Sequence, residues 1–297
     1  MDDVPYLLCD AVAGTIAEIE KLDSANHSRF SLWKAVFENH SDHRSTFRLI
    51  IGFDIGQWYY SLQKLDGASY SDSVDFAHLK QVNRNYLRIN IVQFSDSQFY
   101  LSKRQEIEEI INYIAPFVNF ADLTLGENDI DESDLTVLLR YFQRASFEKI
   151  TTWHYKHGYE DFITRYFQSD CLKKLEVLRG NWSKEFQAEL QQFILKKPFR
   201  HIDCVQSNLV FDMAFFEELF EVNPSVEKVT FRGNFSFNYE DLNGFKRRFF
   251  AGNTWMSVIN RRRPPISVSR CWKRTDGVRV TVSKFLDRYL RIELSMN

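Results

Sequence analysis

Between residues 120 and 250 the apolar positions follow two alternating rhythms. The first is a short frame with apolar residues at positions 1, 4 and 6. It holds Phe120, Leu123 and Leu125, then Phe147 and Ile150 with Thr152, then Leu172, Leu175 and Val177. It returns at Phe199, Ile202 and Cys204, and at Val226, Val229 and Phe231. Side chains two apart share one face of a strand, so positions 4 and 6 predict five short strands buried on the same side. The frames start 27, 25, 27 and 27 residues apart, and Thr152 is the one polar residue in the fifteen positions.

The second rhythm is helical and fills the gaps. Leu135, Leu138, Leu139 and Phe142 follow Ser133-Asp134, and Phe162, Ile163, Tyr166 and Phe167 lie within residues 159–167. Ser183 is placed to cap a helix that buries Phe186, Leu190, Phe193 and Ile194. Asp212 does the same before Phe215, Phe216, Leu219 and Phe220, and residues 239–250 carry Leu242, Phe245 and Phe249. Pro198 and Pro224 stand just before strands, where a helix must stop.

A short strand and one helix cannot bury their apolar faces alone, so such units stack on their neighbours into a continuous core. The period and core positions resemble leucine-rich repeats. In that family an Asn at position 9 ties down the turn after the strand. Here Asn128 and Asn234 hold that place, while Tyr155, Gly180 and Ser207 replace it. The expectation is an α/β fold: a leucine-rich-repeat-like strand–helix solenoid with an N-terminal helical module and a small C-terminal antiparallel cap. The competing reading is a doubly wound α/β domain with βα units of similar length. No Gly-rich phosphate loop follows any of the five strands, which weakens its nucleotide-binding form.

Flanking segments extend this picture. Residues 47–53 and 87–92 read as strands, Tyr86, Ile89 and Ile91 keep the frame, and residues 103–114 read as a helix. The polar stretch 66–75 reads as a loop. Downstream, residues 266–269, 278–282 and 290–294 alternate with period two, and Asp276-Gly277 is a hairpin turn signal. The domain reading is a helical module over 1–45 and a solenoid over 46–297, with regular repeats at 120–250 and the β cap at 264–297.

Residues 1–45 differ from the rest. Val4-Pro5 opens a helix-like run with Val12 and Ile16 apolar, and Leu32-Trp33-Lys34 closes the segment. A Pro near the start, spaced aliphatics and a late Trp resemble a short, diverged F-box of the nematode-type F-box-like family. Where that family has an acidic-Leu helix start and a Val-Cys pair, this chain has Asp23-Ser-Ala-Asn-His. The resemblance implies that Val4, Pro5, Val12, Ile16 and Trp33 face the adaptor subunit of a cullin–RING ubiquitin ligase, while the repeats select a protein substrate. Without it, the segment reads as an N-terminal helical cap.

Charge and composition narrow the function classes. A net charge of −2 disfavours nucleic acid as a partner. The longest apolar runs are far too short to cross a bilayer, and the acidic N-terminus lacks a signal-peptide pattern. Cys9, Cys171, Cys204 and Cys271 are widely spaced and read as reduced thiols of a cytoplasmic or nuclear protein. No cofactor is implied. The pair His154 and His157 lacks a third ligand at metal spacing, and Cys204 sits at a core position opposite in facing to His201 and Asp203. The basic runs 246–248 and 261–263 read as solvated surface. The expectation is therefore a binding protein rather than an enzyme. An F-box-type substrate-recognition subunit leads, a repeat scaffold without a role in ubiquitin transfer comes second, and an α/β enzyme last.

The frame also predicts the binding face. Positions 3, 5 and 7 point away from the core, and like positions of successive repeats should form rows. Position 7 puts Trp153, Leu178, Val205 and Arg232 in one row. Lys149, Lys174 and His201 stand beside it, and Glu176 and Asp203 can pair with them. Exposed apolar residues flanked by Arg and Trp are typical partner anchors.

Overall fold

The computed structural model describes residues 31–66, 69–95, 100–127, 129–153, 156–221, 228–237, 241–242, 267–273, 279–285 and 289–295. Val4, Pro5, Val12, Ile16, His154 and the two basic runs lie outside these residues, as do Asn128, Tyr155 and the Asp276-Gly277 turn. The fold is α/β, with mixed, open β-structure, and the chain divides into two compact units, residues 1–147 and 148–297.

The first unit begins with α1 (Ser31–His43), β1 (Ser45–Asp54), β2 (Gln57–Asp66) and β3 (Ser69–Val74). Then come α2 (Phe76–Gln81), β4 (Leu87–Phe94), β5 (Tyr100–Ser102), α3 (Arg104–Ile114), β6 (Val118–Leu125) and α4 (Glu132–Arg140). The strand order is β6-β4-β1-β2-β3, with β1, β4 and β6 parallel and β2 antiparallel to its neighbours; β5 pairs with β2. In α3, Ile107, Ile110, Ile111 and Ile114 form one fully buried face. Each such side chain contributes about 1.5–3 kcal/mol relative to exposure. That burial stabilises an 11-residue helix that would be marginal alone. Pro116 ends it within a 3-10 turn.

Two expectations for this unit are corrected. Residues 69–74 are not a loop but strand β3, which pairs with β2. Its polar composition suits a strand paired on one side, and that hides it from hydropathy. Phe120 is not core: it is 42% exposed at φ +54°. Residues 118–122 of β6 span only Ile89 to Ile91 of β4, so the surplus residues bulge outward and Ala121 is buried instead.

The second unit runs through β7 (Phe147–Thr152), α5 (His157–Tyr166), β8 (Lys174–Val177), α6 (Lys184–Lys196), β9 (His201–Asp203), β10 (Val210–Phe211), α7 (Met213–Glu221) and β11 (Lys228–Phe235). The parallel strands β7, β8, β9 and β11 lie side by side in chain order. Ile150, Leu175, Ile202 and Phe231 occupy one row of the buried face, next to Thr152, Val177 and Cys204. Ser183 caps α6 by accepting from the Phe186 amide at 3.0 Å, and Asp212 caps α7 by accepting from Phe215 at 2.8 Å. Glu160 of α5 ties that helix to the start of α6, accepting from the Ser183 amide at 2.7 Å and its hydroxyl at 2.6 Å.

Asparagines hold the turns. Asn234 Nδ2 donates to the Ser207 carbonyl at 2.9 Å, with Leu209 and Cys204 carbonyls at 3.3 and 3.4 Å. Asn208 does this one strand–helix unit earlier, donating to the Trp182 carbonyl and accepting from its amide, both at 2.9 Å. The repeat frame misses Asn208 because it stands one residue past position 9.

Strands β12 (Ser267–Lys273), β13 (Arg279–Phe285) and β14 (Tyr289–Ser295) form an antiparallel meander, close to the three alternating segments of the sequence. β14 also pairs antiparallel with β11, so the meander continues the unit's sheet. Val280, Val282, Leu290, Ile292 and Leu294 are buried, as their alternation requires.

Candidate protein-interaction face

The face of β7, β8, β9 and β11 opposite the buried row carries the candidate site. Lys149, Lys174, His201 and Thr230 are aligned across it, and so are Thr151, Glu176, Asp203 and Arg232. His201 faces Thr230 rather than Lys228, a slip of two residues from the repeat frame. A two-residue slip preserves which face each side chain takes but changes its neighbours. Arg232 therefore stands beside Asp203 instead of completing the row of Trp153, Leu178 and Val205.

The charged groups of this face are largely paired. Lys149 Nζ lies 2.7 Å from Glu176 Oε1, and the Thr151 hydroxyl donates to Glu176 Oε2 at 3.2 Å. Arg232 Nη1 donates to Asp203 Oδ2 at 2.7 Å, and the Val205 amide donates to Asp203 Oδ1 at 3.0 Å. Lys174 lies 3.8 Å from Glu148. Asp203 is only 5% exposed. Burial raises its carboxyl above the usual range, against the Val205 amide and the Arg232 charge, which pull it down. Half-buried His201 is pushed down by desolvation, while Asp203 and Glu176 oppose that push.

Among the expected apolar anchors, Trp153 is 48% exposed just beyond the end of β7. Leu178 and Val205 are half-buried. The Leu178 amide bonds the Thr152 carbonyl at 3.0 Å, which keeps Leu178 beside Trp153 past the end of β8. Val205 enters a turn in which Gln206 takes φ +68°. Trp33 lies in α1, whose opening side chains are outside the description.

Cys204 is fully buried on the face opposite His201 and Asp203, and burial pushes its thiol far above the usual range. A thiolate is the reactive form, so this sulfur is unreactive. No group of three His, Cys, Asp or Glu side chains is placed to hold a metal among the described residues. No helix among them is long and apolar enough to cross a membrane. No protein-family model matches the chain, and no curated protein matches it.

Proposed function

We propose that this chain is a protein-interaction protein, built as a leucine-rich-repeat-like solenoid over residues 46–297 and a helical module over 1–45. Its outward strand face holds a protein substrate. Its first 45 residues engage the adaptor of a cullin–RING ubiquitin ligase, as an F-box-type recognition subunit. It needs no cofactor, performs no chemistry itself and works in the cytoplasm or nucleus. The observation that carries the partner face is Trp153, a large exposed ring at the edge of a satisfied charge ladder. Interfaces draw much of their energy from such an aromatic anchor ringed by groups that exclude water.

Support for the repeat reading comes from strand order. The parallel strands β7, β8, β9 and β11 follow chain order without reversal, whereas a doubly wound sheet reverses at its ligand crevice. The turn bonds of Asn208 and Asn234 are of the kind that repeat solenoids use between units.

Affinity purification of the full chain tests both halves. The ligase adaptor should co-purify and be lost on deletion of residues 1–45, while the substrate persists. Trp153→Ala should lose the substrate with an unchanged circular dichroism spectrum and keep the adaptor. Adaptor binding that survives the deletion refutes the N-terminal assignment, and unfolding on Trp153→Ala refutes the face. A chain that never recovers an adaptor but keeps its other partners is a repeat scaffold instead.

A further inference from the structure

The outward strand face of the second unit does not end at β11. β14 continues it, with Arg291 opposite Arg232. Leu290 and Ile292 on either side of Arg291 are buried, so Arg291 takes the outward side with Arg232. Beyond β9, Lys149 of β7 stands opposite Lys174 of β8 on the same face. Two cation pairs therefore face outward across neighbouring strands, one on each side of β9. Like charges directly opposite each other on a sheet destabilise it. Carboxylates offset this. Glu176 lies 2.7 Å from Lys149, Asp203 lies 2.7 Å from Arg232, and Glu293 pairs with Arg291. Glu148 is shared, 3.8 Å from Lys174 and 3.9 Å from Arg200. In every one of these pairs the cation is the more exposed member. Arg232 is the clearest case, its side chain 32% exposed over the nearly enclosed Asp203. An approaching molecule meets ammonium and guanidinium groups first, in a chain whose net charge is −2.

We propose that the protein partner of this face offers it an acidic segment, whose Asp and Glu carboxylates settle over the Lys149–Lys174 and Arg232–Arg291 pairs. This rests on the partner-face reading and names the ligand chemistry of that face. A carboxylate over each pair relieves the repulsion within it, and such complementarity selects partners and speeds their encounter. The register sets the spacing. The pair centres are three strand spacings and two residues apart, which is about 16 Å at about 4.8 Å per strand and about 3.3 Å per residue. An extended segment covers that distance in about five residues. Between the two cation pairs Glu176 stands opposite Asp203, so the middle of the segment is neutral or basic. Nucleic acid is the poorer fit, because its phosphates call for unbroken positive surface and this acidic pair interrupts it.

Fluorescence anisotropy on the full chain at low salt tests this with three labelled probes. One is a peptide with two Glu-Glu pairs separated by three Ser residues. The second is the same peptide with Gln for Glu, and the third is a uridine oligonucleotide of equal length. The Glu peptide should bind and the Gln peptide should not, and added salt should weaken the binding. Lys174→Gln and Arg291→Gln should each raise the Kd about threefold or more, the loss of one exposed charge contact. Lys174→Gln carries the test if Arg291→Gln does not fold. Lys80→Gln, at the exposed Lys80–Glu109 pair of the first unit, should bind as the parent does. Equal binding of the Glu and Gln peptides, an unchanged Kd in the folded variants, or tighter binding of the oligonucleotide overturns the proposal. A Glu peptide that does not bind, while Trp153→Ala still loses the purified substrate, overturns the acidic ligand and leaves the partner face standing. Glu-peptide binding that depends on Lys174, in a chain whose Trp153→Ala variant keeps its substrate, supports the acidic ligand and removes Trp153 from the face.

Discussion

Replacing Asn234 by Ala removes one side-chain amide that serves three backbone carbonyls of the turn after β9. An amide NH2 has two hydrogens, so it makes at most two good bonds at once. The bond to Ser207 at 2.9 Å is the strongest, and Leu209 and Cys204 share the other hydrogen at 3.3 and 3.4 Å. At about 1 kcal/mol net for each of two bonds, the loss is about 2 kcal/mol. A further penalty applies where water cannot reach the abandoned carbonyls. The Cys204 carbonyl is already served by the Ser207 hydroxyl at 2.7 Å, so the penalty falls mainly on Ser207 and Leu209. Urea unfolding followed by circular dichroism should show this loss at unchanged m-value. Hydrogen exchange read on peptides across residues 199–211 should report the same decrease locally. Asn234→Asp is the informative control. It fills the same space but has no hydrogen to donate and turns a carboxylate towards three carbonyl oxygens, so it should be worse than Ala. A loss below about 0.5 kcal/mol for Asn234→Ala, or an Asp variant as stable as the parent, would refute the role assigned to this turn.

Thr152 is fully buried and its hydroxyl has no hydrogen-bond partner among the described residues, so Thr152→Val should stabilise the protein by about 1 kcal/mol in the same urea assay. Ile55 and Gly56 form the two-residue turn between β1 and β2 at φ +49° and +78°, and Ile55 is 89% exposed. Both central residues of a type I′ turn need positive φ, so Ile55→Asn should raise stability by about 1 kcal/mol; a lower Tm would contradict the strain. His201 binds its proton less readily folded than unfolded, facing Asp203, Glu176, Lys149 and Arg232. As pH falls through the ordinary value of 6.5 the unfolded chain protonates first, so stability is lost on the acid side and retained above it. His201→Gln should therefore lose less Tm than the parent between about pH 7.5 and about pH 5.5. Equal losses would show that this imidazole is not coupled to folding.

Facing could be read from the sequence, because burial imposes a period of two that survives any even slip. Leu123, Leu125, Ile150, Leu175, Val177, Ile202, Cys204, Val229 and Phe231 all lie buried where alternation puts them. The hairpin of β1 and β2 carried a readable signal too, since Trp58, Tyr60 and Leu62 alternate and are buried. The turn hid it, because Ile55-Gly56 lacks the Asn that marks such a turn. What alternation cannot encode is an insertion that leaves parity intact. The surplus residues at 118–122 put Phe120 outside the core without disturbing Leu123 or Leu125.

The slip between β9 and β11 is the same kind of event at the candidate site, and there it changes the chemistry. In the repeat frame Asp203 stands opposite Thr230 and Arg232 lies next to Val205, at the end of an apolar row. In the structure Asp203 stands opposite Arg232 and the two form an ion pair at 2.7 Å. Asp203 is then nearly enclosed, and losing Arg232 would leave a buried carboxylate without its counter-charge, which typically costs about 3–5 kcal/mol. Arg232 thus belongs to the structural ladder that holds the face together. On the proposed partner face, the exposed apolar surface among the described residues is therefore that of Trp153, 48% exposed just beyond the end of β7, and Arg232 is no part of it.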